Sequence, residues 1–592
     1  MGAAMKLVAS LLLLVLGGCL MQKPPRAPPA IVDSPEDVAE AYWEVILTED
    51  PLQATALGDR RFDAALPDLS APARAEVLQK KRALAARLKA INAGFLHGDT
   101  LVTARFVAVM LHNDLETQVC QRPLWDVDQL AGVHLALASV ASVQVLDAPA
   151  AVASYVTRLN GAGTLLAQHT ANLRQGLAEG YAAPRVIVAR VVAQLGSMLA
   201  QPAAATPYVT ALDRAADLSP EALTAARRDV LEAVRDVVQP ALAAYRDFLA
   251  VEYLPRARGD VAVTKLPEGA ACYRALIGRD GGVAKAPEVL HSLGEEELQQ
   301  LREAMSGIAR GQGFATIAAY SEALARAPEQ HLSSREALLQ HHAAILARAE
   351  AALPRAFSRM PTTPVVPRSI EPFRERDAPA AYYEPASLDG KRPATYYLNT
   401  YEPASRLLYN AEALAFHEAM PGHHLQIALA QQSRGLPRLR RHAGATAFVE
   451  GWALYAELLA DELGLYSSPA TRFGMLNFQA WRAARLVVDT GLHAGGWTRE
   501  QAVTFMRENL ALPEEEIVNE VDRYIVWPAQ ALAYMSGRME IQALRREAAA
   551  KLGERFDVRR FHDTVLGSGA VPLPVLRHLV SVWASSAAAS TS

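Results

Sequence analysis

From about Pro35 to Arg359 apolar residues recur at three- and four-residue intervals, most clearly over Pro287 to Ala327 and Ser334 to Leu353. That spacing predicts amphipathic helices. Breaks at Asp50-Pro51, Gln201-Pro202, Gln239-Pro240 and Pro267-Glu-Gly269 divide the region into helical hairpins, and no fixed-period repeat is visible. Between Pro361 and Pro403 the texture changes. Thr363 to Val366, Ala380 to Glu384 and, past a turn at Asp389-Gly390, Ala394 to Asn399 are short runs bounded by Pro, Asp and Gly, and they predict short strands with a hairpin. From Arg406 onward helices resume. A last helical segment, about Arg555 to Trp583, contains the turn Gly567-Ser-Gly569 and is expected to pack back on the body. The expected fold is mainly α: a large multi-helix body with a small β-hairpin or sheet. Residues 35–360 form its helical N-terminal region, and residues 361–592 carry nearly all the candidate chemistry.

Composition narrows the class. Hydrophobic residues make up 51% and charged residues 21%, which fits a folded globular chain and not a polytopic membrane protein. At 592 residues it exceeds one ordinary core, so two subdomains or one layered helical body are expected. A net charge of -4 gives no electrostatic reason to expect nucleic acid.

The first residues read as an export signal. Lys6 precedes an apolar run from Leu7 to Leu16, shorter than the roughly 20 residues a spanning helix needs. The run ends in Leu16-Gly17-Gly18-Cys19, which resembles the bacterial lipobox, so residues 1–19 are expected to be a signal peptide and Cys19 the lipidated residue. Leu20, rather than Asp, follows Cys19, and the resemblance then implies the periplasmic face of the outer membrane. Residues 20–34, rich in proline, form an expected tether. The membrane is therefore a partner only through the lipid. Cys120 and Cys272 would be free to pair in an oxidising compartment, and spacing does not decide between a disulfide and two buried thiols.

The chemistry concentrates in Leu414-Ala-Phe-His417-Glu418-Ala-Met-Pro421-Gly422-His423-His424, three histidines and a carboxylate in eight positions. Burying such groups unpaired costs several kcal/mol, so packing alone does not explain them. Zinc takes imidazole nitrogen and carboxylate oxygen, and a hydrolytic site leaves one position for water. The common pattern of two histidines one helical turn apart, with a glutamate general base, is broken here, because Pro421 stands one turn after His417. On a regular helix, positions six apart point about 240° apart and positions seven apart lie about 10.5 Å apart along the axis, so neither His423 nor His424 chelates easily with His417. Pro421 and Gly422 should bulge or break the helix, and His423 then takes the place of the second histidine, with His424 beside the site. Glu450, in Phe448-Val-Glu450-Gly451-Trp452, is the expected third ligand from a following helix, where Gly451 would permit a close helix approach. Glu457, two turns on, is either a hydrogen-bond partner of a histidine or the ligand itself.

At these residues the sequence resembles a large bacterial family, domain of unknown function 885, placed among the gluzincin-like metallopeptidases. The resemblance runs from about Ser34 to Val582. It rests on His417-Glu-Ala-Met-Pro-Gly-His423, Glu450-Gly-Trp-Ala-Leu-Tyr-Ala-Glu457, Arg485-Leu-Val-Val-Asp489-Thr-Gly-Leu-His493 and Arg523-Tyr524 through Pro528-Ala-Gln530-Ala-Leu-Ala-Tyr534. The family often lacks histidine at the position of His424, which supports His423 as the ligand; Ala529 stands where it commonly has glycine. Phe448-Val-Glu450 is also similar to the third-ligand segment of thimet-type oligopeptidases. The resemblance implies a zincin-like pair of helices at the active site. Arg485, Asp489 and His493 fall on one helix face, where Asp489 could bridge two cations. His493, Tyr524 or Tyr534 could donate to an oxyanion, Arg523 could hold a substrate carboxylate, and Tyr397 to Asn399 could be an edge strand for an extended peptide.

The expected function is zinc-dependent hydrolysis of a peptide or small amide. One zinc ion would be held by His417, His423 and Glu450, with Glu418 as general base and His424, Asn399 and Arg523 against the substrate. The alternatives are an amidase or esterase acting on a non-peptide or cell-wall substrate, and a zinc-binding lipoprotein without catalysis. No Gly-x-Ser-x-Gly elbow points to a nucleophilic hydrolase.

Overall fold

The computed structural model describes residues 33–370, 375, 378–388 and 390–589. The expected signal peptide, Cys19 and nearly all of the tether lie outside the described residues. Order begins at a helix start that the sequence specifies locally. Ser34 Oγ accepts from the Asp37 backbone N–H, the Asp37 carboxylate accepts from the Ser34 N–H, and Pro35 opens the helix Pro35–Glu49.

The fold is mainly α with one small sheet. Apolar side chains gather in two cores. The smaller is built between Val127 and Ala257. The larger takes residues from Val38 to Trp125 and again from Val261 to Ala584, so helices before and after residue 360 share one interior. Cys120 and Cys272 are joined as a disulfide, clasping the chain where it leaves for the smaller core and where it returns. Among the described residues no helix is long and apolar enough to cross a membrane.

Seven helices frame the candidate site: α1 (Pro287–Gly311), α2 (Ala411–Glu418), α3 (His423–Gln432), α4 (Thr446–Glu462), α5 (Pro469–His493), α6 (Glu514–Val526) and α7 (Ala533–Leu552). Helix α5 is buried at every position from Phe473 to His493, including Arg482, Arg485, Asp489 and His493, and is the central rod of the larger core. Gly451 permits a close approach, as expected, but the neighbour is α7. A Cβ on Gly537 would lie 1.8 Å from the Ala447 carbonyl oxygen, and one on Gly451 would lie 2.4 Å from the Gly537 backbone.

Three strands, β1 (Val366–Ser369), β2 (Ala381–Glu384) and β3 (Thr395–Leu398), form a sheet in the order β1-β3-β2. β2 and β3 are the antiparallel hairpin, with Ala381 opposite Leu398, and β1 runs parallel to β3, with Val366 opposite Thr395. The expected edge strand at Tyr397 is therefore the central one. Its neighbours Tyr396 and Leu398 are buried, and the Tyr396 hydroxyl meets His342 Nδ1 at 3.0 Å. The strand at the edge that packs on α2 is β2.

Candidate metal centre

The site begins with a helix that cannot continue. Helix α2 ends at Glu418, and the chain turns so tightly that a Cβ at Gly422 would lie 1.8 Å from the His417 carbonyl oxygen and 2.4 Å from that of Phe416. Only glycine passes there, and Pro421 has no N–H to extend the ladder. The indole of Trp452, on α4, donates to the Pro421 carbonyl at 3.0 Å and ties the break to the neighbouring helix. Of the expected bulge or break the chain makes the break, and His423 is the first residue of a new helix.

The break turns His417 and His423 toward each other, with ring centroids 4.9 Å apart and planes at 84°. Glu450 on α4 completes the group. Its Oε2 lies 3.8 Å from His417 Nε2 and 3.6 Å from His423 Nε2, and one donor atom from each residue lies within 4.8 Å of the others. These separations are too long for good hydrogen bonds. They suit donors around a shared ion, since bonds of about 2.0–2.2 Å in a tetrahedral arrangement place donors roughly 3.3–3.5 Å apart. Two imidazoles and a carboxylate form a donor set for a divalent transition metal, and small side-chain shifts would close it.

Glu457 stands on the far side of His417, its Oε1 2.8 Å from Nδ1, while its Oε2 accepts from Gln479 Nε2 at 2.8 Å. A carboxylate there holds the Nδ1–H tautomer and leaves Nε2 facing Glu450. Burial opposes charge on His417, yet the neighbouring carboxylates of Glu450 and Glu457 outweigh it and lift its pKa to about 9. Glu450 is held down at about 2, because His417 and His423 overcome its burial. His423 is pushed to about 4 by burial, and its buried Nδ1 has no hydrogen-bond partner among the described residues.

Glu418 directly follows His417. Burial, reinforced by Glu450 and opposed by His417, moves its carboxyl up to about 7. Tyr534 lies nearly parallel to His417, centroids 6.5 Å apart at 19°, and its hydroxyl accepts from Arg523 Nη2 at 3.0 Å.

Five other expectations are corrected by the hydrogen bonds. His493 faces backbone on both sides: Nδ1 accepts from the Val263 N–H at 3.1 Å and Nε2 lies 3.0 Å from the Tyr524 carbonyl, so it has no nitrogen left for an oxyanion. Asp489 bridges no cations; it accepts from the Tyr273 hydroxyl at 2.6 Å and the Ala529 N–H at 3.0 Å. His424 is fully buried, with Nδ1 on the Tyr383 hydroxyl at 3.0 Å and Nε2 on the Thr363 carbonyl at 3.1 Å, which makes it a tie between α3 and the sheet and not a substrate group. Asn399 spends its amide on the Glu375 and Ala378 carbonyls, at 2.6 and 2.9 Å, closing a loop. Tyr524 is also buried, and its hydroxyl accepts from Trp481 Nε1 and Arg485 Nε, each at 3.0 Å. Sequence reasoning passed over Arg482 and Gln479. Their signal was present, since both are polar residues in the otherwise apolar run of α5 and stand three and six positions before Arg485.

The family described as bacterial protein of unknown function (DUF885) matches residues 51–580. The chain belongs to this family. The crystal structure of "the putative lipoprotein from Colwellia psychrerythraea" is similar at a TM-score of 0.88 and 28% identity, covering 93% of this chain and 100% of that one. A structure described as "a putative lipoprotein of unknown function" from Shewanella oneidensis shares the fold at a TM-score of 0.71 and 18% identity, over 93% of this chain and 100% of that one. No curated protein matches.

Proposed function

We propose that this protein is a zinc-dependent hydrolase, and specifically a peptidase, with His417, His423 and Glu450 as its zinc ligands. The observation that carries the reading is the convergence of those three donor atoms, with a carboxyl poised near neutrality on the residue next to His417. Zinc in such a centre supplies Lewis acidity toward a carbonyl and lowers the pKa of a water. Glu418 takes the proton of the attacking water and returns it to the leaving amine. Tyr534 is the better oxyanion donor of the two tyrosines. Its ring lies against His417 and its oxygen accepts from Arg523, leaving the O–H to donate at the centre, whereas the Tyr524 hydroxyl is buried against Trp481 and Arg485.

The test is the Glu418→Gln protein. It should bind zinc one-to-one and lose at least a thousandfold of the turnover that the wild-type soluble domain shows on a peptide library, and a chelator should abolish the wild-type activity. Full turnover by Glu418→Gln, or full activity in chelator, removes the mechanism.

We also place the protein in the cell envelope, held by a lipid on Cys19 at the periplasmic face of the outer membrane. Two observations favour this: the two structures named above are each described as a "putative lipoprotein", and the Cys120–Cys272 disulfide suits an oxidising compartment. Fatty-acid labelling of the expressed protein should vanish in Cys19→Ser; labelling that persists overturns the anchor.

A further inference from the structure

Beside the triad lies a concentration of positive charge that the reaction above does not use. Arg482 and Arg485 on α5 are more than nine-tenths buried. Arg485 stands 4.3 Å and Arg482 5.8 Å from the ring centroid of Tyr534, the same ring that lies against His417, and Arg523 donates to the Tyr534 hydroxyl. Three guanidinium groups thus surround one tyrosine at the edge of the candidate metal centre.

Their compensation within the protein is incomplete. Glu520 serves two of them, accepting from Arg485 Nη2 at 2.9 Å and lying 3.4 Å from Arg523 Nη1. Arg482 has no carboxylate within ion-pair distance among the described residues. Its one hydrogen bond there is a 3.4 Å contact from Nη1 to the Phe478 carbonyl, and its buried Nε has no acceptor. Arg485 Nη1 is likewise buried without an acceptor. The carboxylates acting on Arg482 through space include Glu457, already held by His417 and Gln479, and Glu520, Glu516 and Glu418, none of which lies within ion-pair distance of it. A buried guanidinium with unfilled N–H groups is costly and unusual, and the group that fills such a fork is a carboxylate.

We propose that Arg482, with Arg485 and Arg523, binds a carboxylate of the substrate. This rests on the peptidase reading and sharpens it: the preferred peptide carries its negative charge close to the scissile bond. The steps from His417 to Tyr534 and from Tyr534 to Arg482 are 6.5 and 5.8 Å, so the span is at most about four residues of extended chain at roughly 3.3–3.6 Å each. A free peptide C-terminus and an Asp or Glu side chain offer the same chemistry, and the experiment separates them.

The measurement is calorimetric binding to the Glu418→Gln protein, with and without added zinc, so that it does not depend on turnover. The probes are acetyl-tetra-alanine as the free acid, the same peptide as its amide, and amides with Asp at either of the last two positions. One carboxylate-bearing probe should bind on the order of ten- to a hundredfold tighter than the plain amide. Preference for the free acid identifies the C-terminus, and preference for an Asp amide identifies the side chain. Adding Arg482→Met should erase the preference, while Arg482→Lys should keep part of it. Equal or undetectable binding of all probes overturns the proposal, as does a preference that survives Arg482→Met in a folded protein. If Arg482→Met fails to fold, the comparison of probes with Arg482 intact still decides. A wild-type protein that cleaves no peptide would sink the peptidase reading while leaving the binding preference measurable, so the two failures are distinct.

Discussion

His417 Nδ1 and Glu457 Oε1 are 2.8 Å apart, both buried, on helices that meet at the candidate metal centre. The pair orients the imidazole so that Nε2 faces Glu450, and Gln479 in turn steadies Glu457. Replacing Glu457 by Gln keeps the shape and removes the charge. Zinc affinity, measured by competition with a chelating dye, should fall about 10- to 100-fold with the helical content unchanged. An unaltered affinity would mean that Glu457 only fills space.

The partners of the adjacent histidines separate their roles. His423 turns Nε2 toward Glu450, whereas both nitrogens of His424 are taken by Tyr383 and Thr363. His423→Gln should therefore lose bound zinc, and His424→Gln should retain one ion per chain by elemental analysis while becoming less stable. Loss of a buried side chain's two hydrogen bonds would lower stability by about 1–3 kcal/mol. The reverse pattern of metal content would exchange the two assignments.

How far these partners were legible differs residue by residue. The helices follow from three- and four-residue spacing, which is local, and so does the break at Pro421-Gly422. The gathering of His417 and His423 was anticipated because a histidine cluster in an apolar stretch has no packing rationale, and Glu450 was expected to complete it from a following helix. What escaped depends on distant chain. His493 is claimed by the Val263 N–H, 230 positions away, and Asp489 by Tyr273 at a separation of 216, neither of which its own helix announces. The place of β3 in the middle of the sheet depends on β1 adding in parallel across a long connection, and no hairpin pattern encodes that. Arg482 was hidden for the opposite reason: beside Arg485 and Asp489 in the same helix it reads as one more ion-pairing group until its partners are found to be missing.

Gly537 links the fold to the site. A Cβ there would meet the Ala447 carbonyl at 1.8 Å, so Gly537→Ala must push α7 from α4, the helix that carries Glu450. The expected cost is about 1–3 kcal/mol, read as a lower urea midpoint, together with weaker zinc binding. Gly307→Ala is the control. It lies in α1 with open space around its Cβ position and should be neutral or stabilising by up to about 1 kcal/mol. Equal midpoints for the two variants would show that α4 and α7 can separate without penalty.

Acid should weaken the fold before most carboxylates titrate. His342, bonded to the Tyr396 hydroxyl, and His562, held between the Tyr455 hydroxyl and the Ala356 carbonyl, are buried and neutral, and burial pushes each pKa down to about 3. In the unfolded chain each returns to about 6.5. At these two rings the unfolded state binds more protons below that pH, so their contribution to stability is full above pH 6.5 and declines as pH falls toward 3. Each imidazole contributes about 1.4 kcal/mol per pH unit once its unfolded form is mostly protonated. The urea midpoint of metal-free protein should therefore drop between pH 6.5 and 5, and His562→Gln should make that drop shallower. A midpoint that stays level over this interval would mean that these rings take up protons inside the folded protein.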